Sequence, residues 1–285
     1  MPRNCTQRAR GVLRGFMCWL LFSIAIAFAS GCSVHVSQDE ERELGAYQAA
    51  YIDSVAPLIN DSVVTDYIMK LGNRMTSKSS RPDLSWRYRV VNISQVNAMA
   101  LPGGFVYVTR SLIEQADRMD QVAGVMGHEI GHVDRRHSVH QLENTGKRDL
   151  AILMLCTLTN ACRSLGGRVA LQVGADAAAA QYSQHDEAEA DSMAVVLTVR
   201  AGIDPEGMPT FFEKLLAQRN EDPTPVQAFF ASHPTDESRI AAVHREIARM
   251  GPSTEHLQRD EPEFHEIQAR LRAMPPPPKA ADTPQ

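Results

Sequence analysis

Residues 124–137 read Gly-Val-Met-Gly-His-Glu-Ile-Gly-His-Val-Asp-Arg-Arg-His, and inside them sits His128-Glu129-Ile130-Gly131-His132, an H-E-x-x-H pattern. On a helix, residues four apart stand one above the other on the same face, so His128 and His132 can offer two imidazole nitrogens to one metal ion. Glu129 follows the first of them, where its carboxylate can take a proton from a water activated by the metal. The helical context is present: Val122, Val125, Met126, Ile130 and Val133 recur near helical spacing, and Asp117 or Asp120 is placed to cap the start. Gly124, Gly127 and Gly131 cost helix propensity, which implies that another backbone, such as a strand or a substrate, lies close along this helix. Two ligands and a base do not complete a zinc site; a third ligand must come from elsewhere in the chain.

The bulk properties allow one sizeable domain. The chain has 285 residues and a formal net charge of −5, and no basic block suggests a nucleic-acid partner. Its first residues read as an export signal. Arg3, Arg8, Arg10 and Arg14 precede an apolar run of about fourteen residues from Phe16 to Ala29, shorter than the roughly twenty a membrane span needs. The run ends in Ala29-Ser30-Gly31-Cys32, which resembles a bacterial lipobox with Cys32 as the lipidated residue. An ordinary signal peptide cut near Ser30, or a retained anchor, is the plainer alternative. Ser33, in place of Asp, points to outer-membrane sorting in an enteric-type periplasm. With Cys5 and Cys18 leaving in the signal, Cys156 and Cys162 remain as either a disulfide or two buried thiols. The expected organisation is a signal peptide over 1–31, a tether over 32–38, a peptidase-sized domain over 39–250, and a charged helix with a disordered Pro-rich tail over 251–285.

Along the mature chain, Asp39 to Val55 reads as a helix with Leu44, Tyr47, Tyr51 and Val55 on one face, and Asp61 to Met75 as a second. The period then changes to two. Trp86–Ile93, Asn97–Leu101 and Phe105–Thr109 read as strands, with a tight turn at Pro102-Gly103-Gly104, and Ser111–Met119 as a short helix. After the H-E-x-x-H helix, Arg135-Arg136-His137 continues it, and His137 and His140 read as solvated helix-end residues. A metzincin would need glycine at 135 and histidine at 138, where this chain has Arg135 and Ser138, so that class is excluded. Leu150–Leu158 is an apolar run too short to span a bilayer, and Arg168–Tyr182 an Ala-rich helical stretch. The expected fold class is mainly α with a small β-sheet.

The third ligand is sought among His185-Asp186-Glu187-Ala188-Glu189-Ala190-Asp191, which opens a helix running to Val199 before Gly202 and Pro205. Glu187 and Asp191 share a face. Glu187 can bind the metal while Asp191 orients a ligand histidine through its free N–H. His185 and Glu189 compete by residue type, and the acidic cluster also suits a plain helix N-terminus.

Five stretches now carry a resemblance: Asn97–Arg110, Gly127–Val133, Glu187–Asp191, Gly202–Pro205 and Ser232-His-Pro-Thr-Asp-Glu-Ser-Arg239. In order and spacing the chain resembles the gluzincin metallopeptidases related to HtpX and the CAAX prenyl protease, and within them the periplasmic lipoprotein members. The likeness covers about residues 40–245. It implies a zincin-like gluzincin fold and one zinc ion per chain, held by His128, His132 and Glu187, with Glu129 as the base and Asp191 behind a ligand. It implies a substrate-aligning edge at Asn97, Ala98, Met99 and Ala100. It implies that His233 can take a fourth zinc position and hold the enzyme latent, and that Arg239 helps polarise a substrate carbonyl; read from the residues alone, Ser232-His-Pro only caps a helix near Thr235. It implies unfolded or misfolded envelope proteins as substrates, with the membrane reached through Cys32. Two departures stand out: Ser183-Gln184 lies where relatives have Ser-Arg, and the tetratricopeptide extension of some relatives has no counterpart after Met250.

Overall fold

The alternating stretch Phe105–Thr109 becomes the central strand of a three-stranded sheet. In the computed structural model, which describes residues 35–144, 182–222, 226–254 and 256–278, β1 (Arg87–Val91), β2 (Ala98–Leu101) and β3 (Phe105–Thr109) are arranged in the order β1-β3-β2. β1 runs parallel to β3 with Arg87 opposite Phe105, and β2 antiparallel to β3 with Ala98 opposite Val108. The turn between β2 and β3 carries positive φ at Gly103 and Gly104 (78° and 101°), a region open to glycine at little cost. Segment 57–59 bridges the outer edge of β1 through the Leu58–Val91 pair, which leaves β2 as the opposite edge.

Two helices precede the sheet, α1 (Gln38–Val55) and α2 (Ser62–Thr76). A capping box between Ser37 and Glu40 starts α1, and the Asp61 carboxylate accepts the Val63 and Val64 N–H groups at the start of α2. The buried side of α1 is not the one periodicity suggests. Tyr47, Tyr51 and Val55 are exposed, and Glu41, Leu44, Gly45 and Ala49 face inward. The expected tether is ordered at its end, since Val36 is fully buried and its backbone is held by Arg136 and Glu143.

α3 (Arg110–Gln115) leads into α4 (Met119–Asp134), which carries the H-E-x-x-H residues and is buried along its whole length. Neither Asp117 nor Asp120 caps it. The Met119 N–H donates to Asp260 Oδ1 at 3.1 Å and the Asp120 N–H to the Arg259 carbonyl at 3.0 Å, so the cap comes from a segment 140 residues away in the chain. The close neighbour of Gly127 and Gly131 on α4 is a helix, not a strand. A Cβ on Gly131 would lie 2.9 Å from Met193 Cβ and 3.1 Å from the Ala190 carbonyl oxygen, and one on Gly127 would lie 3.3 Å from Ala194 Cα. These residues belong to α6 (Gln184–Arg200), which follows α5 (His137–Asn144).

α4 also does not continue through His137. Arg136 adopts φ 58°, a left-handed conformation that costs a non-glycine residue about 1–3 kcal/mol and ends the helix. Its guanidinium is held by Glu41 Oε2 at 2.7 Å and by the Val36 carbonyl at 2.6 Å.

The remaining helices are α7 (Gly207–Glu221), α8 (Gln227–Ser232), α9 (Glu237–Met250) and α10 (Pro262–Ala273), with a 3-10 turn over Gly251–Thr254. The charged helix expected in 251–285, outside the 39–250 domain, joins the main core: Phe264, Ile267 and Leu271 of α10 are buried in the same cluster as Val122, Met126 and Phe212. Arg110 holds the following segment by donating to the Pro275 and Met274 carbonyls. The signal segment, Cys32, Leu150–Leu158, the Cys156–Cys162 pair, residues 168–181 and the tail beyond 278 lie outside the described residues. Among the described helices none is long and apolar enough to cross a membrane.

Candidate metal centre

Two helices and one connection converge on a single point. His128 and His132 come from α4. Glu187 comes from the first turn of α6, whose start is fixed by a capping box between Ser183 and Asp186. His233 ends α8 and begins the link to α9, its N–H donating to the Phe229 carbonyl and its own carbonyl accepting from Thr235 Oγ1. The glycine-lined contact between α4 and α6 lets the Glu187 carboxylate reach the histidine face of α4.

One donor atom from each of His128, His132, Glu187 and His233 lies within 4.8 Å of the other three, and all four side chains are buried. His128 Nε2 is 3.0 Å from His132 Nε2 and 3.2 Å from His233 Nδ1. Glu187 Oε1 is 3.1 Å from His233 Nδ1 and 3.4 Å from His132 Nε2, and Glu187 Oε2 is 3.6 Å from His128 Nε2. Four ligands at zinc–nitrogen and zinc–oxygen distances sit roughly 3.3 Å apart at the corners of a tetrahedron, so the spacing fits such an ion. The outer hydrogen bonds fit it too. His128 Nδ1 faces Asp191 Oδ1 at 3.0 Å and His132 Nδ1 faces His137 Nδ1 at 2.9 Å, so protons on those outer nitrogens leave both Nε2 atoms as bare lone pairs. Glu187 Oε2, sealed from solvent, has Arg239 Nη1 as an ion-pair neighbour at 2.5 Å but no aligned hydrogen bond, leaving a lone pair for a cation.

The electrostatics agree with this chemistry. Burial pushes the His132 imidazole far down, toward the neutral form a ligand needs. Burial opposes charge at Glu187 as well, but His132, His233 and His128 override it and hold the carboxyl far below the usual range. At His233 burial is outweighed by Glu129 and Glu187, whose charges lift the imidazole well above its ordinary value; the cluster attracts a cation at this point, whether a proton or a metal ion. Glu129 is 2% exposed, is held low by His233 against the cost of burial, and lies with Oε1 3.2 Å from His233 Nε2. His233 therefore stands between the other three donors and the base.

Asp191 Oδ1 lies beside His128 Nδ1. Arg239 is placed differently from its expected role at a substrate carbonyl. Its Nε and Nη2 fork onto Asp191 at 2.5 and 2.8 Å, Nη1 pairs with Glu187, and the guanidinium lies over Phe212 at 5.6 Å. The two carboxylates hold it behind the ligands.

Asn97 precedes the edge strand β2. Its backbone N–H donates to Thr109 Oγ1 and its Oδ1 accepts the Ala98 N–H, while Met99 and Ala100 are half-buried. The sequence reading missed His137 and Tyr182. His137 is 2% exposed and not a solvated helix end, and Tyr182 stacks on His132 with ring centres 3.9 Å apart. His185 is exposed and His140 is at the surface. Glu189 turns away from the cluster to His137 and Arg135. Only the left-handed turn at Arg136 makes sense of His137, and nothing in the residue pattern announces it.

A buried helix carrying H-E-x-x-H, completed by a glutamate from a later helix, defines a zincin-like metallopeptidase of the gluzincin kind. The chain belongs to peptidase family M48, which matches residues 63–247. It is similar to the beta-barrel assembly-enhancing protease of Escherichia coli K12, 30% identical over 255 residues that cover 86% of this chain and 50% of that protein. It is also similar to metalloprotease YcaL of the same organism, 28% identical over 256 residues covering 80% of this chain and 97% of that protein. The mitochondrial metalloendopeptidase OMA1 of Schizosaccharomyces pombe is 25% identical over 239 residues, 84% of this chain and 67% of that protein. The chain spans about half the length of the assembly-enhancing proteases it matches.

Proposed function

We propose that this chain is a zinc-dependent endopeptidase of the bacterial cell envelope, cleaving unfolded or misassembled envelope proteins. The observation that carries the reading is the meeting of four buried ligand atoms within 4.8 Å, with the Glu129 carboxylate beside them. His128, His132 and Glu187 hold one zinc ion. Bound there, zinc supplies a Lewis acid that makes a water nucleophilic near neutral pH and polarises a carbonyl. Glu129 takes the proton of the attacking water on its carboxylate and returns it to the leaving amine. Asp191 fixes the His128 tautomer, and Arg239 neutralises the Glu187–Asp191 pair and holds both in place. The edge of β2, which pairs with no further strand among the described residues, lines up an extended peptide by backbone hydrogen bonding along Asn97, Ala98, Met99 and Ala100. Lipidation at Cys32 anchors the chain in the periplasm, at the outer membrane. An envelope location is in keeping with the likeness to a protease named for enhancing beta-barrel assembly.

One observation favours a second reading, a latent, chaperone-like outer-membrane assembly factor. His233 is 3% exposed and contacts both Glu129 and Glu187, which closes the site against a substrate. Digestion of an unfolded outer-membrane protein or casein by metal-replete wild type, Glu129→Gln and His233→Ala distinguishes the two. We expect His233→Ala to cut faster than wild type, and Glu129→Gln to lose about 10²–10⁴-fold in rate, the usual worth of a general base. Failure of both wild type and His233→Ala to cut any unfolded protein refutes the peptidase reading and leaves the assembly factor.

A further inference from the structure

His128 and His132 are not held alike. His128 gives its outer nitrogen directly to a buried carboxylate, Asp191. His132 gives its outer nitrogen to another imidazole: Nδ1 lies 2.9 Å from His137 Nδ1, and His137 Nε2 lies 3.2 Å from Glu189 Oε2. His132 Nε2 faces the other three donors, so its proton belongs on Nδ1. His137 Nδ1 must then accept, which puts the His137 proton on Nε2, pointing at Glu189. A chain of two neutral imidazoles and one carboxylate is thus satisfied at every link.

This arrangement is built and not incidental. In a continuous helix, residue 137 would sit about 140° around the axis from residue 132, well away from it. The left-handed turn at Arg136 brings it back, and that turn is fixed by Glu41 and the Val36 carbonyl. Tyr182 stacks on the face of the His132 ring, its hydroxyl 2.7 Å from Ser138 Oγ, and so packs that ring against α4 and α5.

We propose that His137 is a positioning residue of the metal centre: it accepts the Nδ1–H of His132, passes the load to Glu189, and so holds His132 Nε2 in the ligand direction. The proposal rests on the zinc reading above, and its test reads metal affinity, not cleavage. Zinc affinity of the full chain is measured by competition with a chromogenic chelator for wild type, His137→Leu, His137→Asn and Glu189→Ala, with thermal melts in excess chelator as the folding control. Leucine keeps bulk but cannot accept a hydrogen bond, and should weaken zinc about 10–100-fold, the range typical of lost outer partners of metal ligands. Asparagine places an amide oxygen near the Nδ1 position and should restore affinity close to wild type. Glu189→Ala should fall between them. Leucine and wild type binding zinc equally would overturn the proposal, as would asparagine falling as far as leucine. If the leucine variant melts early in chelator, the asparagine and Glu189→Ala pair decides: loss in the first with none in the second contradicts the relay. A wild type that takes up no zinc would instead defeat the metal reading itself.

Discussion

At the scale of single residues, charge sits where burial makes it costly, and partners decide whether it is tolerated. Glu41 is the clearest case away from the metal. It is fully buried in α1, yet Arg81 Nη1 reaches Oε1 and Arg136 Nε reaches Oε2, each at 2.7 Å, and Gly103 donates its N–H. Burial alone would push its carboxyl up; the two guanidinium groups override that and hold it below the ordinary 4.5. A carboxyl lowered in the folded state contributes stability above its unfolded pKa and loses it as pH falls through the folded one. Glu41→Gln leaves two half-buried arginines short of a counter-charge, and should cost about 3–5 kcal/mol at pH 7, the range for breaking a buried pair. Urea unfolding in excess chelator checks this. The gap between variant and wild type should shrink as pH drops below 4.5, and a gap that stays constant or widens there would contradict the assignment.

At the scale of elements, the spacing between α4 and α6 sets the centre, because Glu187 reaches the α4 histidines only if the two backbones come close. Gly131 is where this is tightest. Alanine there gains about 1 kcal/mol of helix propensity, but its methyl would press on Met193 Cβ and the Ala190 backbone. Overpacking costs about 1–3 kcal/mol, so we expect Gly131→Ala to lower stability and to weaken zinc binding together. Chelator competition and denaturant unfolding on the same sample test this; a stabilised variant with unchanged affinity would show that the contact is not what sets the ligand spacing. What pattern could reveal about these elements has a clear limit. Helical period placed His128 and His132 on one face, alternation placed the three strands, and both reflect local geometry repeated in the chain. The N-terminal cap of α4 from Asp260 was not legible, nor was the break at Arg136, nor the inward turn of Glu41 in place of Tyr47 and Tyr51 on α1. Each depends on a group far away in sequence supplying a hydrogen bond or a counter-charge, and no periodicity records that.

At the scale of the molecule, the described residues from Val36 onward form one unit, with a main core and a smaller cluster of Ala49, Val91, Leu101 and Tyr107, and the site lies where its helices meet. Helical spacing put Glu187 forward beside His185 and Glu189, and the resemblance chose it; in space Glu187 meets both α4 histidines, while His185 is exposed and Glu189 turns to His137. α10 adds Phe264 to the main core, and its preceding loop caps α4, so residues beyond Met250 support the helix that bears the ligands. The central claim is that this convergence holds one zinc ion. Anomalous diffraction at the zinc edge from crystals of the full chain tests it most directly. We expect one strong peak per chain, about 2.0–2.2 Å from His128 Nε2, His132 Nε2 and a Glu187 oxygen. A peak elsewhere, or one without the Glu187 carboxylate, would contradict it.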